Sequence, residues 1–208
     1  MEKLDYKKAF KSLYLPGKQP VQVEVPEMKF IMIDGIGSPQ GKAYQDAIQA
    51  LYSLTFTIKM SKLSAEKPEG YFEYVVPPLE GLWHCEDGPL DFHRPKEDWR
   101  WTSMIRQPDF VTEDVFLWAV EACRKKDPAL DVSGARLHSF CEGLCVQMMH
   151  IGPYSRETCS IEAMRTFLAT EGLTDDSGTV RRHHEIYLSN PRRSAPEKLR
   201  TVLRIPVK

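Results

Sequence analysis

The sequence predicts an α+β fold: two long helices on one face of an eight-stranded, mostly antiparallel sheet. Two observations carry this prediction. The order strand, strand, helix, strand, strand occurs twice along the chain, and each helical segment keeps one apolar stripe. Matching Phe30-Ile-Met-Ile-Asp-Gly35 to Gln147-Met-Met-His-Ile-Gly152 aligns the two strand-to-helix junctions. The chain therefore reads as one domain over residues 1–208. A first repeat covers 20–86, an aromatic and helical insertion 87–131, and a second repeat 132–208.

In the first repeat, Val21-Gln-Val-Glu-Val25 alternates and Met28 to Ile33 is a more apolar run, which together predict a hairpin across Pro26 and Glu27. Tyr44, Ala47, Ile48, Leu51 and Tyr52 then recur at helical spacing. Tyr71 to Val76 and Leu79 to Cys85 read as two more strands, separated by Pro77 and Pro78. The second repeat follows the same plan. Ala135 to Phe140 and Leu144 to Ile151 predict a hairpin around Glu142 and Gly143. A helix carries Ile161, Met164, Phe167 and Leu168, and His184 to Leu188 and Leu199 to Ile205 close the unit. Within the insertion, Thr112 can cap a helix whose first turn holds Glu113 and Asp114 and whose stripe is Phe116, Ala119, Val120 and Cys123. Residues 1–16 form an amphipathic lead-in, and Ser194 to Lys198 an exposed turn.

Composition narrows the function classes. Lys and Arg number 28 against 29 Asp and Glu, a net charge of -1, so no global field draws the chain to nucleic acid or an anionic membrane. No specific DNA binding is expected, and a sequence-selective mobility shift at physiological salt would contradict this. No apolar run is long enough for a membrane span, and MEKLDYKKAF lacks the apolar core of a secretory signal. Five cysteines without framework spacing predict reduced thiols and a cytoplasmic location. Gly35-x-Gly37 follows a strand and precedes a helix, but Gln40 stands where the dinucleotide fingerprint needs its third glycine. A tight turn is the better reading.

The candidate site comes from the repeat. Aligning Phe72-Glu-Tyr-Val-Val76 with His184-Glu-Ile-Tyr-Leu188 makes Glu73 and Glu185 equivalent, each a charge within an apolar strand. Strand alternation puts Tyr71 with Glu73 and Tyr187 with Glu185, offering two Tyr/Glu pairs to a shared groove. The alternative is that these carboxylates project into solvent. Trp83, Trp99 and Trp101 add flat apolar surfaces, and in an extended Trp99-Arg-Trp101 both indoles face one way with Arg100 opposite. Aromatic walls around one carboxylate suit planar or cationic organic molecules.

The residues at this point resemble the GyrI-like small-molecule-binding family. The resemblance rests on Val25-Pro26, Asp34-Gly-Ile-Gly-Ser-Pro39, Pro78-Leu-Glu-Gly-Leu-Trp83, Trp99-Arg-Trp101, Ile105-Arg-Gln-Pro108, Glu185-Ile-Tyr-Leu-Ser-Asn-Pro191 and Arg204-Ile-Pro-Val207. It implies two similar modules with a ligand groove between them and a central pocket glutamate at Glu185. Stand-alone members similar to this chain open the strained cyclopropane of DNA-alkylating natural products by hydrolysis. That likeness implies catalysis by Glu185 and Tyr71 and a substrate held by Trp83, Trp99 and Trp101; the repeat adds Glu73 and Tyr187 as substrate-binding candidates, and no metal or cofactor is expected. Two alternatives stay open: a non-catalytic sequestering or sensing module, and a protein-binding inhibitor of a DNA-handling enzyme. Regulator members of the family carry a helix-turn-helix before the ligand domain; none is read in residues 1–16, so direct transcriptional control is not expected.

Overall fold

A computed structural model describes residues 3–63 and 67–208; the first two residues of the lead-in lie outside the described residues. The chain opens with β1 (Leu4–Asp5), α1 (Tyr6–Ala9) and α2 (Lys11–Tyr14), followed by β2 (Val21–Val25), β3 (Met28–Ile36) and α3 (Lys42–Met60). Next come β4 (Tyr74–Val75), β5 (Leu79–Cys85), β6 (Gly88–Pro89), β7 (Trp99–Arg106) and α4 (Glu113–Lys126). The second half supplies β8 (Arg136–Phe140), β9 (Gly143–Ile151), α5 (Glu157–Glu171), β10 (His183–Tyr187) and β11 (Arg200–Pro206). The fold is α+β. The main sheet runs β2-β9-β11-β10-β5-β7-β3-β8 with every neighbour antiparallel, and β6 adds to β5.

Strand pairing departs from the expected hairpins. β2 pairs with β9 and β3 with β8, so each half lends its first strand to the other. Only Pro26 and Glu27 link β2, at one edge, to β3, next to the other edge. An extended chain covers roughly 3.3–3.6 Å per residue, so these edges stand close together and the sheet curls almost into a barrel. The Cys141 thiol, 3.6 Å from the Val25 carbonyl oxygen, marks where the two links meet.

The repeat is also redrawn. The sheet has four strands on either side of the β5–β10 junction, which makes β5 the counterpart of β10 and β7 the counterpart of β11. Residues 71–76, expected as a sheet strand, supply only β4, which pairs in parallel with β1 outside the main sheet. Its place is taken by β7, from the segment expected as an insertion. The helices match expectation more closely. α3 buries Tyr44, Ala47 and Leu51, α4 buries Phe116, Ala119, Val120 and Cys123, and the Thr112 hydroxyl accepts the Val115 N–H at 3.3 Å.

The two faces of the curled sheet differ. The outer face carries the long helices; Ile161, Met164 and Leu168 of α5 pack on Val146, Met148, Leu203 and Ile205. The inner face holds Phe30, Met104 and Val202 with Leu13 and Tyr14, and a buried ionic row. Gln147, Arg204 and His184 are consecutive cross-strand neighbours. Arg204 Nη1 donates to Glu142 Oε2 at 2.5 Å, and its Nε and Nη2 donate to Gln147 Oε1 at 3.1 and 3.0 Å. Nη2 also donates to the Leu13 carbonyl at 2.9 Å. The His184 ring lies 2.9 Å from Glu142 and 3.0 Å from Glu80.

Burial opposes the Glu142 charge, but His184 and Arg204 outweigh it and bring the pKa from 4.5 to about 2. A carboxylate depressed in the folded state stabilises above its unfolded pKa and loses that contribution as pH falls through the folded value. For His184 burial works against the charged ring, yet Glu142 and then Glu80 raise its pKa, so its contribution is full below 6.5 and fades above. The thermal midpoint should therefore fall between pH 4.5 and about 2, and Glu142→Gln should flatten that slope. An equal slope in both proteins would contradict the assignment.

Candidate functional site

The site lies on the outer face of the β5–β10 junction. Alternation along β10 points His183, Glu185 and Tyr187 toward the helices and His184 and Ile186 inward. Glu185 is buried, 7% exposed, and its Oε2 accepts the Tyr187 hydroxyl at 2.8 Å. Trp83 Nε1 donates to the Tyr187 hydroxyl oxygen at 3.0 Å, which completes a directed chain from indole to phenol to carboxylate. This chain requires a glycine. Gly81 pairs with Glu185 in the ladder, and a Cβ there would stand 2.8 Å from Trp83 Nε1 and 3.2 Å from the Tyr187 hydroxyl.

Three tryptophans, all buried, flank the carboxylate. Trp101 pairs with Trp83 across β5 and β7, and its indole lies over Gly35, where a Cβ would stand 2.2 Å from the ring. Gly35 thus serves to seat the indole, while the positive φ of the turn belongs to Gly37 at 109°. Tyr44, from the first turn of α3, meets Trp101 edge-on at 5.0 Å and Trp83 at 5.5 Å. Trp99 packs edge-on against Trp83 at 5.8 Å and Phe92 at 5.9 Å, with the Lys96 ammonium 5.3 Å above its ring. Arg100 points the other way and pairs with Glu86 at 2.7 Å, as strand alternation requires. His183 Nε2 lies 3.4 Å from Glu185 Oε1 without an aligned hydrogen bond.

The α5 side completes the wall. Tyr154 meets Tyr187 edge-on at 6.1 Å, and Glu157, the first residue of α5, is 4% exposed. Burial, followed by the charge of Glu185, holds the Glu157 pKa well above the usual carboxylate range. Burial and Glu185 likewise raise Tyr187, and burial lifts Tyr44 to about 12. The phenols therefore stay protonated at neutral pH and serve as donors. Among the described residues no group of three His, Cys, Asp or Glu side chains converges in a way that could hold a metal ion.

Glu185, Tyr187, Trp83, Trp99 and Trp101 come together; Tyr71 and Glu73 do not join them. The Tyr71 hydroxyl donates to the Lys59 carbonyl at 2.8 Å, and its ring packs on Phe110 at 5.2 Å. Lys59 lies near the C-terminal end of α3 and Tyr44 at its start, roughly 20 Å apart at about 1.5 Å per residue. Glu73 pairs with Lys62 at 2.7 Å. The expected equivalence of Glu73 and Glu185 fails because β5, not the segment before it, is the counterpart of β10; Gly81 faces Glu185 instead. Sequence reasoning missed Tyr44, Tyr154 and Glu157. Tyr44 stood in a helical stripe that equally well describes core, and a glutamate in a first helical turn is an ordinary dipole-favoured residue. Of two surface depressions, the larger, lined by Phe116, Val120, Arg124 and Val132, lies away from the site, and the smaller, lined by Asp34, Gly35, His84, Arg100, Trp101 and Arg182, borders it at Trp101 and Gly35.

A curled α+β sheet of exchanged modules, with an aromatic-walled carboxylate at their junction, defines a small-molecule-binding domain. The chain belongs to the GyrI-like family: the model of the GyrI-like small molecule binding domain matches residues 18–208. It is 51% identical to an uncharacterized conserved protein from Listeria innocua, with a TM-score of 0.95 and coverage of 99% of this chain and 100% of that one. A hydrolase from the same organism is 49% identical, with a TM-score of 0.92 over 99% of this chain and 100% of that one. A further solved structure of a Listeria innocua hydrolase is 50% identical, with a TM-score of 0.92 and full coverage of both chains. A comparison with curated proteins finds no match. No helix among the described residues is long and apolar enough to cross a membrane.

Proposed function

We propose that the chain binds planar aromatic small molecules at the module junction and hydrolyses the strained cyclopropane of a DNA-alkylating compound there. The observation that carries this reading is the buried Glu185 carboxylate held by Tyr187 and Trp83 beneath the aromatic wall. The likeness to two solved Listeria innocua hydrolase structures at about half identity supports it. Indole faces stack on a flat ligand and exclude bulk water. Glu185 takes a proton from a water molecule as its oxygen attacks the cyclopropane carbon. The carbon–carbon bond breaks, and its electron pair passes into the conjugated ring, which becomes aromatic. Ring strain and aromatisation drive this step, so placement plus one base supplies most of the catalysis. Tyr187, fixed by the Trp83 N–H, takes the orienting role that the family resemblance placed on Tyr71.

The test is turnover by substoichiometric protein. Loss of many equivalents of compound per protein supports hydrolysis, whereas loss that stops at one equivalent leaves a sequestering module. Binding itself is read from saturable quenching of tryptophan fluorescence. Trp99→Ala and Trp101→Ala should each weaken it by about 1–3 kcal/mol. Unchanged affinity in both folded variants would remove the aromatic wall from the binding site.

A further inference from the structure

We propose that Glu157 is a second reacting carboxyl of this site, the general acid that protonates the oxygen on which charge collects as the ring opens. The inference rests on the hydrolytic reading above. Glu157 is 4% exposed at the start of α5, and its Oε1 is buried without a hydrogen-bond partner among the described residues. The groups facing it come from three elements: Glu185 and Tyr187 on β10, Tyr154 in the turn before α5, and Lys96 in the segment between β5 and β7. His183 contacts Glu185, its Nε2 3.4 Å from Oε1.

Of these, Lys96 is the one cation that acts directly on Glu157, and its ammonium sits over the Trp99 ring. Burial and the neighbouring Glu185 carboxyl both favour the neutral form of Glu157, the form that can donate a proton. The α5 N-terminus favours a charged Glu157, but burial and Glu185 act against it more strongly. Tyr187 donates to Glu185 Oε2 at 2.8 Å, so the geometry presents that carboxyl as an acceptor.

The step balances. The water oxygen bonds to the cyclopropane carbon as the carbon–carbon bond breaks, and the electron pair runs through the conjugated ring to its carbonyl oxygen. That oxygen takes the Glu157 proton, while Glu185 takes one from the water. One molecule of water is added, and return of the proton from Glu185 to Glu157 resets the pair. The substrate class follows: a cyclopropane conjugated through a flat ring to a carbonyl oxygen able to reach α5.

Infrared spectra at neutral pH should show a protonated carboxyl C=O band in the wild type that disappears in Glu157→Gln. With a cyclopropane-bearing alkylator, Glu157→Gln should lower kcat roughly 10²-fold and remove the alkaline limb of the pH profile, with quenching affinity unchanged. Turnover with the wild-type rate and pH profile in Glu157→Gln overturns this role alone. A wild type that shows the band but no turnover overturns the hydrolytic reading, and the role with it. Should Glu157→Gln fail to fold, the wild-type spectrum decides, and a neutral-pH spectrum without the band overturns the role.

Discussion

Glu185→Gln should keep the fold and the ligand affinity while lowering turnover by roughly 10²–10⁴-fold, the usual range for loss of a general base. Gln preserves the volume of Glu, and its amide oxygen still accepts the Tyr187 hydroxyl that holds the side chain 2.8 Å away. What it loses is the capacity to take a proton from water. Stacking on the indoles does not depend on that proton, so kcat should fall with little change in fluorescence quenching. Tyr187→Phe should cost less, because water can replace a hydroxyl, although the Trp83 N–H then loses its acceptor. Full turnover by a folded Glu185→Gln protein would remove Glu185 as the base.

The second large effect is on stability. Arg204 is 1% exposed and joins Glu142, Gln147 and the Leu13 carbonyl. Arg204→Met leaves Glu142 buried with His184 as its remaining charged partner, and breaking a buried pair on one side costs about 3–5 kcal/mol. Against a typical total of about 5–15 kcal/mol, that is enough to place the protein near its unfolding threshold. The double variant Arg204→Met with Glu142→Leu removes both charges and should regain much of the loss. Chemical denaturation reads both, and a single variant within about 0.5 kcal/mol of wild type would show that the row contributes nothing. Because His184 in this row precedes Glu185 on β10, the same variants test whether the inner row holds the catalytic strand in place.

The helices were legible because a 3.6-residue period is a local property: the stripes read from Tyr44 through Leu51 and from Phe116 through Cys123 are the stripes that are buried. Trp99-Arg-Trp101 was legible for the same reason, since alternation alone sets Arg100 apart from the indoles. Glu185 stood out as a charge in an apolar run. Strand partners were not legible. A two-residue link such as Pro26 and Glu27 reads as a hairpin turn whether the chain doubles back or passes to the opposite edge of a curled sheet. That ambiguity misplaced the repeat, gave Glu73 a partner it does not have, and left β7 in an insertion. Glu157 was illegible because its meaning comes from β10, 28 residues further along the chain.

The most direct test of the account is mass spectrometry of a cyclopropane-bearing alkylator incubated with catalytic protein in oxygen-labelled water. The account predicts a ring-opened product carrying one labelled oxygen, formed over many turnovers by the wild type and largely lost in Glu185→Gln. Unaltered compound, or label incorporated equally fast by Glu185→Gln, would contradict it.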